Sequence, residues 1–304
     1  MRRHSIGRDS VVVVMGASSG IGRAAAHAFA RRGARLVLAA RSSSSLDDVA
    51  GECRARGAAR VTTAPLDITD ADAVADMIAA TERAYGGIDV WVSASSVYGF
   101  SRFEESPAHM VRRILDVNLI GTMEAARLAI PVLRRRRGVM ILVGSVFSEL
   151  AAPYVVPYVT SKHGIAGFAK GLRLELRGQV DVCTVMPATI DTPIHQHAAN
   201  HTGRKIRPLP PVVAPERVAR AIVRLSRRPR RNRVVGRAQG VMVPIRRVLP
   251  GVVDAFTARY MELVGIRRSP QPPHDGTLHV PDPPSNTVEG GWRVWRRLWR
   301  GRRS

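Results

Sequence analysis

Tyr158 and Lys162 are the residues whose types and spacing most clearly allow acid–base chemistry. They stand four positions apart, so a helix would place both side chains on one face. A phenol ionises at about pH 10 and is a weak base at neutral pH. A neighbouring ammonium favours the phenolate, so we expect Lys162 to lower the pKa of Tyr158. Tyr-x-x-x-Lys alone is a weak signal, and its meaning depends on the rest of the chain.

A glycine-rich turn upstream is the second feature with chemical meaning. Gly16, Gly20 and Gly22 stand between a short apolar run and a helical pattern. Gly16 permits a tight turn, Gly20 lets the backbone approach a pyrophosphate, and Gly22 lets the helix pack closely on the strand. The helix N-terminus offers N–H groups and a positive dipole end to phosphates. The alternative is a Gly/Ser turn without a ligand, but the context favours a dinucleotide site.

The end of the second predicted strand bears on the choice of dinucleotide. An NAD site usually has an acid there to bond the ribose 2′-OH. Here Ala40 is followed by Arg41 and Ser42, with no acid before Asp47. Arg41 can pair with a 2′-phosphate, and Ser42 and Ser18 can donate hydroxyl groups. An Arg can stand here by chance in so arginine-rich a chain, so the missing acid is the stronger evidence. We therefore favour NADP(H) over NAD(H).

Alternating strand and helix patterns must position these residues. Strands are predicted at 11–15, 35–40, 60–65, 88–93, 138–143 and 180–186, with a seventh at 233–235. Helices are predicted at 21–31, 46–56, 70–85, 108–136, 158–176 and 215–226. The alternation implies right-handed crossovers. It predicts an α/β fold with a doubly wound, Rossmann-like parallel sheet and helices on both faces.

In this context the chain resembles the short-chain dehydrogenase/reductase family over residues 10–236. The motifs that carry the resemblance are Gly16-x-x-x-Gly20-x-Gly22, Leu66-Asp67, Val117-Asn118-Leu119, Gly144-Ser145, Tyr158-x-x-x-Lys162 and Pro187-Ala188-Thr189-Ile190-Asp191-Thr192. They follow the order and spacing of the family. The resemblance implies an NADP(H)-dependent oxidoreductase that moves a hydride between the nicotinamide and an alcohol or carbonyl carbon.

The resemblance also implies a role for each matching residue. Tyr158 is the acid/base, Ser145 bonds the substrate oxygen, Lys162 holds the nicotinamide ribose, and Asn118 supports a proton-relaying water. The implied cofactor-binding residues are Gly16, Ser18, Ser19, Gly20, Ile21, Gly22, Arg41, Ser42, Asp67, Ile68, Pro187, Ile190 and Thr192. Asp67 and Ile68 would border the adenine, while Ile190 and Thr192 would border the carboxamide. Asp67 can also cap the helix that follows it.

Two segments depart from the family pattern. Ser93-Ala94-Ser95-Ser96 stands where the family has Asn-Asn-Ala-Gly, and Ala188 replaces a glycine. The first change alters hydrogen bonds beneath the cofactor, and the second restricts the backbone beside the nicotinamide. We expect both to affect cofactor affinity and to leave the reaction chemistry intact.

The loop that follows Thr192, to about residue 213, is where this family closes over its substrate. It holds His195, His197 and His201 without an accompanying acid or Cys, so we predict no metal site. Candidate pocket walls, or equally ordinary core residues, are Tyr98, Phe100, Phe147 and Val155 or Val156. An apolar pocket would favour a lipophilic alcohol or ketone.

We divide the chain into a dinucleotide-binding catalytic domain, 1–239, and a C-terminal extension, 240–304. The extension holds a possible helix from Pro250, a Pro/Gly-rich segment at 269–291, and an Arg/Trp-rich end with Trp295 and Trp299. The formal charge is +23, and the residues from Arg227 onward hold 17 Arg against 5 acids. Such a field can attract nucleic acid, an anionic membrane or acidic partners, or serve solubility alone.

The extension has three readings: it docks on a partner subunit or lids the substrate site, lies on an anionic membrane, or is a solvated end. Nucleic-acid binding is not favoured, because no reading motif is present. We expect a cytoplasmic homo-oligomer, with peripheral membrane association left open, because no signal-peptide or membrane-spanning pattern occurs. Cys53 and Cys183 predict no disulfide. The alternative function is a catalytically weak nucleotide-binding scaffold that acts through its basic tail at a membrane surface or a protein partner.

Overall fold

Seven parallel strands form the central sheet of the protein, whose computed structural model describes residues 3–293. The strands of the chain are β1 (Val11–Met15), β2 (Arg35–Ala40), β3 (Arg60–Pro65), β4 (Val90–Ser93), β5 (Gly99–Phe100), β6 (Val139–Val143), β7 (Asp181–Pro187), β8 (Ala199–Asn200), β9 (Arg204–Ile206), β10 (Asn232–Val235) and β11 (Ile266–Pro270). The helices are α1 (Gly20–Ala30), α2 (Ser43–Ala55), α3 (Ala71–Tyr85), α4 (Ala108–Leu115), α5 (Gly121–Arg136), α6 (Val156–Glu175), α7 (Pro215–Arg227), α8 (Arg237–Gly240), α9 (Met242–Val248) and α10 (Pro250–Tyr260). Trp295 and Trp299 lie outside the described residues.

The sheet has the order β10-β7-β6-β4-β1-β2-β3. Both of its faces are covered, so the inner strands β1, β4 and β6 are almost wholly apolar instead of alternating, whereas the edge strands β3 and β10 are more exposed. In β1, Val11, Val13 and Met15 pack into one core cluster, and Val12 and Val14 pack into the other. Helices α3, α5 and α6 cover the face of Val11, Val13 and Met15, and α1, α2 and α7 cover the face of Val12 and Val14. The strand order reverses at β1, which opens a crevice at the carboxyl ends of β1 and β4.

The Rossmann-like fold predicted from the sequence is confirmed, and the seven predicted strands form it. One predicted helix differs: residues 108–136 are two helices, α4 and α5, joined by a π-helical turn at Asp116–Ile120. Such turns often occur at functional sites. This turn holds Asn118, which is almost fully buried.

The chain beyond β10 packs at the carboxyl edge of the sheet. Helices α8 to α10 lead into β11, which pairs antiparallel with β9 through Ile266 and Ile206. The predicted helix from Pro250 forms as α10, but it buries few apolar side chains: Val253 is buried, whereas Phe256, and Leu263 in the turn that follows, are exposed. From β11 the chain returns across the crevice as an irregular segment, 277–293, which we call the strap. Within residues 3–293, no helix is long and apolar enough to cross a bilayer.

Candidate active site

The crevice contains a cavity of about 490 Å³. Every site residue predicted from the sequence lines this cavity except Asn118. Most of these residues come from the carboxyl ends of β1, β2, β3, β6 and β7 and the turns that follow, because parallel strands present these ends at one edge, while Tyr158 and Lys162 come from α6. The structure thus brings the glycine turn and the Tyr–Lys pair into one space.

The glycine turn is closely packed against its surroundings. Gly16 has a φ of +77°, and a Cβ there would lie 2.6 Å from the backbone nitrogen of Ser95. A Cβ on Gly22 would lie 1.9 Å from the carbonyl oxygen of Gly16. Both positions therefore require glycine. Helix α1 begins at Gly20 without a side-chain cap on its first amides. The geometry fits a pyrophosphate at this helix end.

Tyr158 lies in the first turn of α6, and Lys162 follows one turn later, with its Nζ 5.3 Å from the centre of the Tyr158 ring. Nζ donates a hydrogen bond to the carbonyl oxygen of Val143 at the end of β6 (3.2 Å). Ser145 follows that strand, and its Oγ accepts from the N–H of Phe147 (3.1 Å), which leaves the hydroxyl hydrogen available for donation. All three side chains are buried.

The pKa of Tyr158 is raised, whereas the sequence predicted that Lys162 would lower it. Burial raises it to about 12, and the hydroxyls of Ser145 and Ser96, which lower it, only partly offset this. Lys162 does not bring the pKa below its usual value, because desolvation dominates at this depth. Burial also lowers the pKa of Lys162 to about 8. At neutral pH the phenol is therefore protonated, and the amine is mostly charged.

Asn118 lies beneath the cavity and supports its floor. Its Oδ1 accepts from the N–H of Val97 (2.8 Å), and its Nδ2 donates to the carbonyl oxygen of Val97 (2.9 Å). Nδ2 also reaches the Oγ of Ser161 (3.3 Å), which donates to the carbonyl oxygen of Tyr158 (2.7 Å). Asn118 therefore connects the segment after β4 to the helix that carries Tyr158.

The two departures from the family pattern have structural counterparts. Ser96 stands where the family has a glycine; it lines the cavity and lowers the pKa of Tyr158, and its buried Oγ has no hydrogen-bond partner within residues 3–293. Ser96 is thus a hydroxyl at the site that sequence reasoning did not include among the site residues. Ala188 is accommodated by Gly236, whose φ is +115° and whose Cβ, if present, would lie 2.4 Å from that of Ala188. Gly236, which follows β10, therefore leaves the space that the methyl group of Ala188 needs.

Arg41 and Asp67 lie at the other end of the cavity, and each has partners within the chain. The guanidinium of Arg41 donates to the strap carbonyls of Thr277 (2.7 Å), Leu278 (2.9 Å) and His279 (3.0 Å). Asp67 pairs with Arg113. Burial opposes ionisation of Asp67, but hydrogen bonds from Thr69 and Arg113 outweigh it and lower its pKa. Asp70, not Asp67, caps α3, through the N–H of Ala73 (2.9 Å).

The wall beside Tyr158 is largely apolar. The expected residues Tyr98, Phe100 and Phe147 line it, and Tyr98 contacts the Tyr158 ring at 4.3 Å between centres. Val155 and Val156 do not line it. Sequence reasoning missed several walls that come from distant parts of the chain: Leu150, Leu209, Met242, Phe256, Tyr260 and Met261. No local spacing marks them, because they reach the cavity only through tertiary packing.

The three histidines of the loop after Thr192 point to different partners. His197 hydrogen-bonds with Ser285 (2.6 Å), and His201 pairs with Asp275 (2.9 Å). His195 lines the cavity, and its buried Nδ1 has no hydrogen-bond partner within residues 3–293. Burial lowers the pKa of His195 to about 4, so its imidazole is neutral at pH 7. In the part of the chain that the structure describes, no group of three or more His, Cys, Asp or Glu is arranged to hold a metal.

The fold and the site define a nucleotide-binding oxidoreductase. The family described as short chain dehydrogenase matches residues 10–203, and the chain belongs to it. It is an NAD(P)-dependent dehydrogenase or reductase that acts on alcohol or carbonyl groups of small molecules. The resemblance inferred from the motifs is confirmed.

Relatives with curated names agree with this class. The chain is 26% identical to the uncharacterized oxidoreductase YxnA of Bacillus subtilis, over 84% of this chain and 73% of that protein. It is 32% identical to 11-beta-hydroxysteroid dehydrogenase A of Sesamum indicum, over 70% of this chain and 64% of that protein. The match therefore spans slightly less than two thirds of the Sesamum protein.

Solved structures agree as well. The alcohol dehydrogenase of the archaeon Thermococcus sibiricus, complexed with 5-hydroxy-NADP, superposes with a TM-score of 0.65 at 27% identity, over 74% of this chain and 94% of that one. The ligand-free aldohexose dehydrogenase of Thermoplasma acidophilum gives 0.64 at 27% identity, over 77% and 95%.

Proposed function

We propose that the protein interconverts a carbonyl and an alcohol on a lipophilic small molecule, with NADP(H) as hydride carrier and Tyr158 as the proton-transferring group. The observation that carries the proposal is that buried Tyr158, Ser145 and Lys162 share one cavity with the glycine turn. The cradle at Gly16 and Gly22 fits the phosphates of a dinucleotide.

The charge near the end of β2 supports NADP(H) over NAD(H). Strand β2 is followed by Arg41, not by an acid. Asp67, which follows β3 and lines the cavity, forms an ion pair with Arg113. A guanidinium binds a phosphate more strongly than a neutral carbonyl. A 2′-phosphate can therefore compete for Arg41. The Thermococcus relative, solved with an NADP derivative, is consistent with this choice.

In the reductive direction, bound NADPH would supply the hydride to the carbonyl carbon. Ser145 donates its hydroxyl hydrogen to the carbonyl oxygen and orients it. Tyr158, protonated at neutral pH because its pKa is about 12, donates the proton that the oxygen needs to become a hydroxyl. The charged amine of Lys162 stabilises the phenolate left behind. Asn118 holds the backbone at Val97 and, through Ser161, the first turn of α6.

The cavity wall supports a mostly apolar substrate with one further polar group. Tyr98, Phe100 and Phe147 supply aromatic surface beside Tyr158. The neutral His195 ring lies 5.7 Å from Tyr98 between ring centres, and its unpartnered Nδ1 can hydrogen-bond a substrate hydroxyl or carbonyl. A buried polar atom without a partner is costly, so we expect the substrate to provide one. Hydroxysteroids, the substrates in the name of the Sesamum relative, are mostly apolar and carry a further polar group.

The test measures the oxidation of NADPH by its absorbance with a panel of ketones. The ketones come in matched pairs that differ by one added hydroxyl group. With an accepted ketone, we expect Tyr158→Phe to lower turnover by about 10²- to 10⁴-fold, because the proton donor is lost. NADPH affinity should be unchanged. Tyr154→Phe, the same chemical change at a residue outside the cavity, should keep full turnover. Normal turnover in Tyr158→Phe would overturn Tyr158 as the proton donor, whereas a wild-type protein that turns over no ketone of the panel would favour the scaffold function.

A further inference from the structure

The strap runs along the whole length of the cavity. At the Arg41 end, three consecutive strap carbonyls, at residues 277–279, accept hydrogen bonds from one guanidinium. Arg113 also donates to the carbonyl oxygen of Leu278 (3.0 Å). Leu278 is itself buried. This end of the strap is therefore held by two arginines and one apolar side chain.

The middle of the strap contacts the turn that begins α1. The N–H of Gly20 donates to the carbonyl oxygen of Thr287 (2.9 Å), and Arg23 donates to that of Asn286. The Nδ2 of Asn286 donates to the Oγ of Ser45 on α2 (2.9 Å), and this hydrogen bond is buried. Asn286 thus ties the strap to the two helices nearest the glycine turn.

The far end of the strap contacts the loop after β7. Asp191, almost fully buried, accepts from the N–H of Trp292 (2.8 Å) and from the Nε of Arg293 (2.8 Å). The Trp292 ring lies 6.1 Å from that of His195, edge to face. Gly290 is packed so closely that a Cβ there would lie 2.4 Å from the carbonyl oxygen of Thr192.

These contacts make the strap the outer wall of the cavity. Thr277, Pro281, Asp282 and Asn286 line the same space as the glycine turn and Tyr158. The strap lines this space and also occupies two donors proposed for the dinucleotide, the N–H of Gly20 and the guanidinium of Arg41. Most of its attachments are single polar contacts, and its only fully buried apolar side chain among residues 277–293 is Leu278. A segment attached in this way opens at a small fraction of the global unfolding free energy.

We propose that the strap is part of the dinucleotide site and gates it: it opens to admit the cofactor and closes over the bound molecule. The proposal rests on the NADP(H) function proposed above. Cofactor release then requires the contacts at Asn286 and Gly290 to break, so the strap sets the exchange rate. Weakening either contact raises the fraction of time that the strap is open.

The test measures release of NADPH by stopped-flow fluorescence, with excess NADP⁺ as the displacing ligand, in the full-length protein. Asn286→Ala removes the buried hydrogen bond to Ser45, and Gly290→Ala forces the strap away from Thr192. We expect Asn286→Ala to raise the release rate constant about five- to tenfold, as the loss of one net hydrogen bond implies, and Gly290→Ala to raise it as well, because its Cβ would clash with the carbonyl oxygen of Thr192. Val280→Ala, on an exposed strap side chain, is the matched control and should release at the wild-type rate.

Hydrogen exchange of the strap gives a second readout, which does not depend on turnover. Amides within 277–292 should exchange more slowly when NADPH is bound. Faster exchange on binding would mean that the cofactor expels the strap and would overturn closure. Release rates equal to wild type in both variants would overturn the gate alone. Failure of wild type and variants to bind NADPH would overturn this proposal and the proposed function together.

Discussion

The sheet region, residues 11–235, and the C-terminal region, residues 237–293, are held together by different forces. In the sheet region, the side chains of the inner strands, such as β1 and β4, are almost fully buried on both faces. In the C-terminal region, large apolar side chains such as Val248, Phe256 and Leu263 are exposed, and the strap is attached through backbone carbonyls and a few polar side chains. The first region therefore builds the site, and the second covers it.

A matched pair of leucines gives the largest expected contrast between the regions. Leu38→Ala in β2 removes a side chain with no exposed surface, and we expect a loss of about 2–5 kcal/mol in the free energy of unfolding. Leu263→Ala changes a side chain that is 62% exposed, and we expect a change within about 0.5 kcal/mol. Urea denaturation measures both. A comparable loss in Leu263→Ala would show that a partner covers this surface in solution.

Arg41 lies where the two regions meet, because its guanidinium holds the strap and faces the cavity. We expect Arg41→Glu to weaken NADPH binding about 10- to 100-fold more than NADH binding, because a carboxylate repels the 2′-phosphate. Calorimetry with both cofactors measures the difference. Arg54→Glu, an exposed change of the same charge on α2, is the control. Equal loss for both cofactors would contradict a contact with the 2′-phosphate.

The pH dependence of reduction tests the buried amine of the sheet region. The pKa of Lys162 is lowered to about 8, so its ammonium is present below that pH and is lost as the pH rises through it. We expect kcat/KM for ketone reduction to be level below about pH 8 and to fall above it. A rate profile over pH 6–10 measures this. A profile that remains level to pH 10 would mean that the charge on Lys162 is not needed.

Vesicle binding is the smallest effect that we expect, and it concerns the basic tail. Liposome co-sedimentation would compare the full chain with a deletion of residues 294–304, on anionic and neutral vesicles. We expect the deletion to reduce binding to anionic vesicles, because it removes Arg and Trp residues. Equal binding by both chains would leave the tail without a membrane role.

Cytoplasmic location, homo-oligomer formation and the division at residue 239 also remain predictions.

The amino-acid sequence by itself determined the fold class and the motif residues that line the cavity. Apolar runs of strand length between helical patterns leave few ways to bury both faces of a sheet, so order and spacing predict the architecture. Motif residues at the ends of successive parallel strands meet at one edge for the same reason. This is why Gly16, Asp67 and Ser145 could be assigned to one site without coordinates.

Only the tertiary structure decided the depth of the site and what covers it. The pKa of Tyr158 is raised because the packed site excludes water from the phenol, an effect that spacing to Lys162 does not reveal. The compensation of Ala188 by Gly236, and the hydrogen bonds of Arg41 to the strap, join residues far apart in the chain. Contacts of this kind depend on how distant segments of the chain pack together, which the local periodicity of the sequence does not encode.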